Sequence, residues 1–225
     1  MDHRPLPLIP PPGTISGSFA FRTARRVMGA LMATYLPTTI VGREYIPASG
    51  GVIVAANHSS LLDVPLLSYA IGRESRFPAK PELFSHDLLA RFLLSLGGFP
   101  IARGGGDRKA LSFSERVIQE GCVLAIFPEG SRSRDGLLHP FHRGVALLAI
   151  NGNVPIVPAS ITGSGESFPA GAVFPRPGRI VIRFGPPEWP EPAPLDPASR
   201  KAESLRLTER VHERVQSLLS LSGTH

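Results

Sequence analysis

Apolar residues recur along this chain in two patterns, which predict strands alternating with helices. A short continuous apolar run is typical of a strand buried inside a sheet. Apolar residues three and four positions apart instead indicate a helix with one buried face, as in "LLARFLLSLGG", which ends at two glycines. Strands are predicted at 39–46 (with a turn inside), 50–56, 75–80, 122–128, 154–163 and 178–185.

Helices are predicted between most of these strands. Asp63 is expected to cap the helix that follows the second strand, with Pro65 in its first turn. Strands that alternate with helices favour an α/β fold, with a largely parallel central sheet covered by helices on both faces. The predicted helices span 18–36, 63–72, 88–98, 107–121, the region near 144–152 and a C-terminal segment opened by Asp196 and Pro197.

Composition divides the chain into a short leading region and one main domain. The 225 residues, 42% of them hydrophobic, suit a single domain with a sizeable core. Residues 1–38 are predicted to form a Pro-rich arm and an amphipathic helix, and residues 39–225 the main domain. That helix either lies in a membrane interface, with its arginines at headgroup level, or packs on the protein's own core. Its apolar face comprises Phe19, Val27, Met28, Leu31, Met32 and Tyr35.

The charge balance and the single cysteine exclude several classes of protein. Lys and Arg total 24 against 18 Asp and Glu, and a net charge of +6 favours anionic partners. Nucleic acid is not expected as a partner, because the arginines fall in separate loops and are not interleaved with aromatics on one surface. Cys122 alone cannot form an intramolecular disulfide. No apolar run reaches the roughly 18 residues of a spanning helix, so we expect a cytoplasmic protein.

His58 and Asp63 in "NHSSLLDVP" form a candidate acid–base pair. Five positions would separate them by about 16 Å in a strand, so only a turn brings them together. The predicted elements supply that turn at the carboxyl end of a strand, where open α/β sheets bind ligands. A carboxylate that holds one imidazole nitrogen fixes the tautomer and leaves the other nitrogen as a general base. On spacing alone, an ordinary helix cap beside a satisfied loop histidine is the favoured interpretation, because this spacing is common by chance.

Two further loops carry residues suited to binding an anion. In "FPEGSRSRDG", Gly130 permits backbone shapes that direct amide groups at an anion, and Arg132 can pair with a phosphate. In "FPIARGGGDRKA", Arg103 lies beside three glycines ahead of a helix, without the Lys-Ser/Thr of a nucleotide-binding loop. A solvated polar turn is the alternative for the first loop. His139 and His142 lack a supporting cluster of metal ligands, so we expect no metal.

Taken together, these segments resemble the glycerophospholipid acyltransferase family. The resemblance runs from Val41 to Gly163 and preserves the order of four blocks. Ser131 stands where threonine is usual in the family, and it keeps the hydroxyl. The matching blocks are "VIVAANHSSLLDVP", "FPAKPELF" with "LGGFPIARGG", "FPEGSRSRDGLLHPFHRG" and "VPIVPASITG".

The resemblance implies an acyltransferase domain over residues 39–225 and a direct attack without an acyl-enzyme. His58 would be the general base and Asp63 would orient it, with no metal or redox cofactor. The donor would be an acyl thioester, acyl-CoA or acyl carrier protein, and the acceptor a lysophospholipid, foremost 1-acyl-glycerol-3-phosphate. Substrate binding is assigned by the resemblance to Asn57, Lys80, Arg103, Glu129, Gly130, Ser131, Arg132 and Pro155.

The resemblance leaves two alternatives open. The same chemistry could act on another acceptor, such as a lyso-ornithine lipid, a glycolipid or a small alcohol. A protein that only binds lipid or acyl-CoA would keep the fold without the reaction. Because the acceptor resides in a membrane, we expect peripheral contact with the inner membrane face.

Overall fold

The computed structural model describes residue 11 and residues 19–100, 108–192 and 196–221. The predicted Pro-rich arm, apart from residue 11, and Arg103 lie outside the described residues. The side chains of 20, 21, 24, 25 and 108–110 are likewise outside them.

Within the described residues, seven strands form one sheet at the centre of the molecule. Their order across the sheet is β1-β7-β6-β2-β5-β3-β4, and all neighbouring strands are parallel except β6 and β7. The sequence prediction of a largely parallel sheet is therefore confirmed. The strands are β1 (Thr38–Val41), β2 (Val52–Ala56), β3 (Ser75–Ala79), β4 (Gly98–Pro100), β5 (Val123–Ile126), β6 (Ile156–Thr162) and β7 (Ile180–Phe184).

Seven α-helices accompany the sheet within the described ranges. Two short 3₁₀ turns lie between these elements: Arg43–Tyr45 is the turn predicted inside 39–46, whereas Pro81–Phe84 was not predicted. The four-residue helix α6 was not predicted either. The helices are α1 (Phe19–Thr34), α2 (Asp63–Ile71), α3 (Asp87–Ser95), α4 (Arg108–Gln119), α5 (Gly144–Gly152), α6 (Ser164–Ser167) and α7 (Pro197–Ser220).

Strand β2 explains why the sheet stands between two cores. All five of its residues are buried, because alternate side chains enter opposite faces. Val52, Val54 and Ala56 join one core with α1 and α2, whereas Ile53 and Ala55 join the other with α4, α5 and α7. Burial on both faces is the reason that the run reads as continuously apolar.

Cys122 belongs to the second core. It immediately precedes β5, is buried at 5% exposure and lies in one apolar cluster with Val117 and Leu124. The side chain is therefore a core residue, as its apolar neighbours in the sequence predicted.

The apolar face predicted for α1 is only partly the buried one. Met28 and Met32 pack in the core beside α2, which occupies side chains that the membrane interpretation assigned to lipid. Phe19 and Val27 are exposed, so the predicted stripe is divided between two surroundings. Within residues 19–100, 108–192 and 196–221, no helix is both long and apolar enough to cross a membrane.

Candidate active site

The candidate site lies at the carboxyl edge of the parallel strands. His58 follows β2, Glu129 follows β5, and Thr162 ends β6, three adjacent strands of the sheet. A cavity of about 280 Å³ opens among the loops that leave them. Side chains from distant parts of the sequence thus meet at one place because parallel strands end at the same edge.

His58 and Asp63 meet as the spacing predicted. His58 Nδ1 lies 2.8 Å from Asp63 Oδ2, and the loop that turns between β2 and α2 makes the contact possible. Asp63 is fully buried, whereas the His58 side chain is 15% exposed and lines the cavity. Because Nδ1 is bonded to the carboxylate, Nε2 is the nitrogen left to accept a proton.

The carboxylate of Asp63 also organises the turn itself. Oδ2 accepts hydrogen bonds from the backbone N–H groups of Ser59, at 2.7 Å, and Ser60, at 2.8 Å. Oδ1 is buried and has no hydrogen-bond partner among the described residues. The predicted cap role is wrong in detail, because Leu62 holds the N-cap position and Asp63 is the first helical residue. Asp63 Oδ2 accepts hydrogen bonds from the loop that precedes α2 instead of from the first amides of the helix.

Two neighbours hold the histidine in place. The imidazole stacks on Phe127, with ring centroids 4.1 Å apart and an interplanar angle of 18°. Asn57 donates to the carbonyl of Ile161 at 2.9 Å and accepts from the N–H of the same residue at 2.7 Å. The Asn57 side chain therefore extends the pairing of β2 with β6 by one residue. Both of its polar atoms are hydrogen-bonded to the backbone of Ile161.

Glu129 clamps two loops together through their backbones. Its Oε1 accepts from His58 N at 2.8 Å, and its Oε2 accepts from His139 N at 3.1 Å. Burial raises the pKa of Glu129 above its ordinary value of 4.5, although these two backbone hydrogen bonds act to lower it. Both carboxylate oxygens are occupied by protein donors, so the side chain sets the position of the loop that carries His58.

We expect Glu129→Gln to change how stability depends on pH. Because the pKa of Glu129 is raised in the folded protein, protonation of its carboxyl contributes to the free energy of unfolding. That contribution is fully present below the pKa of the unfolded chain, and it is lost as pH rises through the pKa of the folded protein. Glutamine has no proton to lose, so the variant should show a flatter free energy of unfolding across mildly acidic pH. Urea unfolding at a series of pH values measures this.

The same substitution should also reduce stability at neutral pH. One terminal atom of glutamine is a donor, and it would face the N–H of either His58 or His139, at a cost of about 1–3 kcal/mol. Glu213→Gln, at an exposed position on α7, is the control for loss of a carboxylate. Identical pH slopes for wild type and Glu129→Gln would contradict the assigned burial effect.

The rest of the predicted set falls in several places. Gly130 has φ 72°, the left-handed region, and a Cβ there would lie 3.0 Å from the His142 ring, so glycine suits this turn. Ser131 and Arg132 follow it in the same loop and are exposed. Lys80 directly follows β3 at the carboxyl edge, where it is exposed and lies two strands from β2.

Pro155 is not brought to the site. It is buried just before β6, and its carbonyl accepts from Ile53 N at 3.0 Å at the amino edge of the sheet. Six residues of strand separate it from Ile161 beside the cavity, about 20 Å. The block containing it supplies Ile161 and Thr162 to the cavity instead.

His139 and His142, the two histidines considered as metal ligands, lie in the loop after β5. His139 Nε2 lies 3.1 Å from Asp135 Oδ1, an exposed pair in the loop after β5. In the part of the chain that the structure describes, no group of three His, Cys, Asp or Glu side chains is placed to hold a metal ion.

Part of the cavity wall escaped the sequence analysis. Gly163 caps α6 and Gly165 lies within it, Pro169 follows that helix, and Leu219 comes from the end of α7. Gly163 ends the predicted strand 154–163 and Gly165 comes just after it, which is a signal that could have placed both at the same edge. Leu219 carried no such signal, because its position depends on how α7 packs.

Comparison with known proteins identifies the class to which this fold and site belong. The family model described as Acyltransferase matches residues 37–162, more than half of the chain. The matched range contains β1 to β6 and the three residues His58, Asp63 and Glu129. The class is therefore that of the O-acyltransferases. This chain belongs to the Acyltransferase family.

Individual relatives are similar over most of the chain. The 1-acyl-sn-glycerol-3-phosphate acyltransferase of Bacillus subtilis (strain 168) is 27% identical over 180 residues, covering 80% of this chain and 86% of that protein. The enzyme of that name from Limnanthes douglasii is 32% identical over 68% of this chain, which spans 54% of the plant protein. The crystal structure of the 1-acyl-sn-glycerophosphate acyltransferase from Thermotoga maritima superposes with TM-score 0.64 at 27% identity, covering 86% of this chain and 77% of that one.

Proposed function

We propose that this protein transfers a fatty acyl group from an acyl thioester to the hydroxyl of 1-acyl-glycerol-3-phosphate, giving phosphatidic acid. The observation that carries the proposal is the contact of 2.8 Å between His58 Nδ1 and the buried Asp63 carboxylate, at the wall of a cavity. Support for the acceptor comes from the similarity to 1-acyl-sn-glycerol-3-phosphate acyltransferases of Bacillus subtilis and Limnanthes douglasii.

In the proposed reaction His58 Nε2 accepts the proton of the acceptor hydroxyl as its oxygen attacks the thioester carbonyl. Asp63 stabilises the imidazolium that forms. The tetrahedral intermediate then expels the sulfur, the C–S bond breaks, and the proton passes from His58 to the leaving thiolate. The new ester and a free thiol result. The stacked face of Phe127 supports the positive imidazolium further.

The donor and the acceptor are tested by one panel of substrates. Purified protein is incubated with lysophosphatidic acid, a lyso-ornithine lipid, a lysoglycolipid or a small alcohol as acceptor. Each acceptor is combined with an acyl thioester of coenzyme A or of acyl carrier protein, and products are identified by mass spectrometry. Turnover that requires lysophosphatidic acid supports the proposal. Transfer only to another alcohol would replace the acceptor, and thioester binding without transfer would replace the reaction.

Arg103 is proposed to bind the acceptor phosphate, in accordance with the family resemblance. Its position lies in the segment between β4 and α4, which starts at the same edge of the sheet as His58. We expect Arg103→Ala to raise KM for lysophosphatidic acid about 10- to 100-fold with a smaller change in kcat, because a charge-assisted hydrogen bond is lost. Steady-state kinetics measure this, with Arg116→Ala on exposed α4 as the control. An unchanged KM would remove Arg103 from the phosphate site.

We also propose peripheral contact with a membrane, since the acceptor is a membrane lipid. On α1, Phe19, Arg22, Arg26 and Val27 remain exposed and fit an interfacial helix. The two core methionines instead secure the helix to the domain.

A further inference from the structure

We infer that the loop 168–178, between α6 and β7, is a lipid-docking element that brings the cavity mouth onto an anionic membrane surface. The inference rests on the proposed function for its purpose, and its evidence is separate. This loop lies beyond the range matched by the family model, which ends at residue 162.

Two adjacent large apolar side chains stand at the tip of this docking loop. Val173 and Phe174 are each 79% exposed, among the most exposed large apolar residues that the structure describes. Single exposed apolar residues are ordinary. An adjacent pair on a projecting loop instead presents a larger, contiguous apolar surface to water. A lipid interface takes up such a pair, an aromatic ring in particular.

The base of the loop is held firmly, so the exposure of its tip is built into the fold. Arg176 N donates to Ser167 O at 2.6 Å and closes the loop on itself. The Tyr35 hydroxyl at the end of α1 donates to Pro175 O at 2.9 Å. Compact loops with their ends held together in this way carry function often. Val173 and Phe174 therefore project from a fixed base.

The loop is also joined directly to the candidate active site. Pro169 and Ala170 line the cavity together with His58. Ser60 donates its hydroxyl to Phe168 O at 3.0 Å, while its backbone N–H is bonded to Asp63 Oδ2. Insertion of the tip into lipid would thus set the cavity against the membrane, so that a lysolipid could enter without crossing water.

The charge of the loop favours an anionic membrane as the surface that it binds. The segment from Phe168 to Arg179 contains two arginines, Arg176 and Arg179, and no acidic residue. Both arginines are exposed, whereas the cavity wall carries both signs of charge, with Arg134 beside Glu129 and Glu166. Apolar residues at a tip with cations behind them match the layering of acyl chains and acidic headgroups.

The test compares partition onto vesicles of equimolar phosphatidylglycerol and phosphatidylcholine by co-sedimentation. Val173→Ser with Phe174→Ser should lower the partition coefficient about 10- to 100-fold, from the loss of buried apolar area. The matched control is Trp189→Ser with Leu205→Ser, which removes two exposed apolar side chains elsewhere, one of them at the amino edge beside the Glu188 bridge. It should bind within about twofold of wild type. Equal binding by the loop variant and the wild type would overturn the inference.

A second measurement covers the case in which the loop variant folds poorly. Phe174→Trp in a Trp189→Phe background leaves a single indole at the tip, since Trp189 is the one tryptophan of the sequence. Its fluorescence should shift to the blue on adding the same vesicles and be quenched by brominated lipid. Emission unchanged by vesicles would overturn the inference. So would self-association of the chain through the tip, seen by sedimentation velocity, without lipid binding.

These readouts are independent of turnover. His58→Ala protein should partition onto the vesicles as wild type does, because the histidine lies inside the cavity wall and not at the tip. If no acyl transfer to lysophosphatidic acid occurs, the proposed function fails while the vesicle measurement still decides the docking loop. If the protein transfers acyl groups but the tip does not bind lipid, only the docking inference fails.

Discussion

His58→Ala should lower kcat for acyl transfer about 100- to 10,000-fold, the range found when a general base is removed. The imidazole is 15% exposed at the cavity wall, and its Nδ1 is bonded to Asp63, so alanine removes the proton acceptor without emptying the core. KM for the acceptor should change much less, because the lost interaction acts in the transition state.

The measurement is single-turnover transfer from a radiolabelled thioester, with the thermal unfolding midpoint recorded in parallel. His86→Ala is the matched control, since His86 is an exposed histidine just before α3 and does not line the cavity. Full activity of the purified His58→Ala protein would end the assignment of a general base. If His58→Ala loses activity and also unfolds, the measurement is repeated with His58→Gln, which keeps a polar side chain of similar length.

Asp63→Asn should lower kcat by up to about 1,000-fold while keeping the geometry. The N–H groups of Ser59 and Ser60 both point at Oδ2, so the amide oxygen of asparagine must occupy that position and still accept from His58. The variant therefore removes the negative charge but not the hydrogen bond. Unit charges 4 Å apart at an effective dielectric of 20 interact by about 4 kcal/mol, which sets the upper limit of the rate loss.

The structural consequence of Asp63→Asn can be measured separately. The new amide nitrogen would replace the buried Oδ1, which has no partner within the described ranges, so stability should fall by about 1–3 kcal/mol. A charge effect predicts that kcat falls while KM for the acceptor changes little, because the imidazolium that forms in the transition state loses its counter-charge. A less stable variant that keeps wild-type kcat would show that Asp63 has only a structural role.

Strands buried on both faces were the most predictable part of the fold. In β2 and β5 every position is apolar or small, and no other element gives so short and continuous a run. Six of the seven described helices were predicted in approximate extent, but the sequence did not show which residues of each face are buried. On α1 the sequence pattern joined Phe19 to Met28, yet only Met28 is buried, because the partner of an apolar face is set by tertiary packing.

In the candidate site, local relations were predictable and distant ones were not. His58 and Asp63 lie five residues apart, so a strand, a turn and a helix sufficed to bring them together. The clamp by Glu129 joins backbones 71 and 10 residues away, and the composition of its loop suggested only an anion site. Pro155 was assigned to the site because it belongs to a matching block, but it lies at the end of β6 away from the cavity. Membership of the block did not indicate which end of the strand faces the cavity.

The burial of Cys122 has a practical bearing on the proposed chemistry. Each turnover would release coenzyme A or carrier protein with a reduced sulfhydryl, which can exchange with accessible disulfides and react with thiol dyes. The protein's one sulfur of this kind is enclosed at 5% exposure in the core before β5, away from the cavity lining. The native enzyme should therefore neither form mixed disulfides with its own product nor consume a colorimetric thiol reagent. Continuous assays based on such reagents would then record product alone.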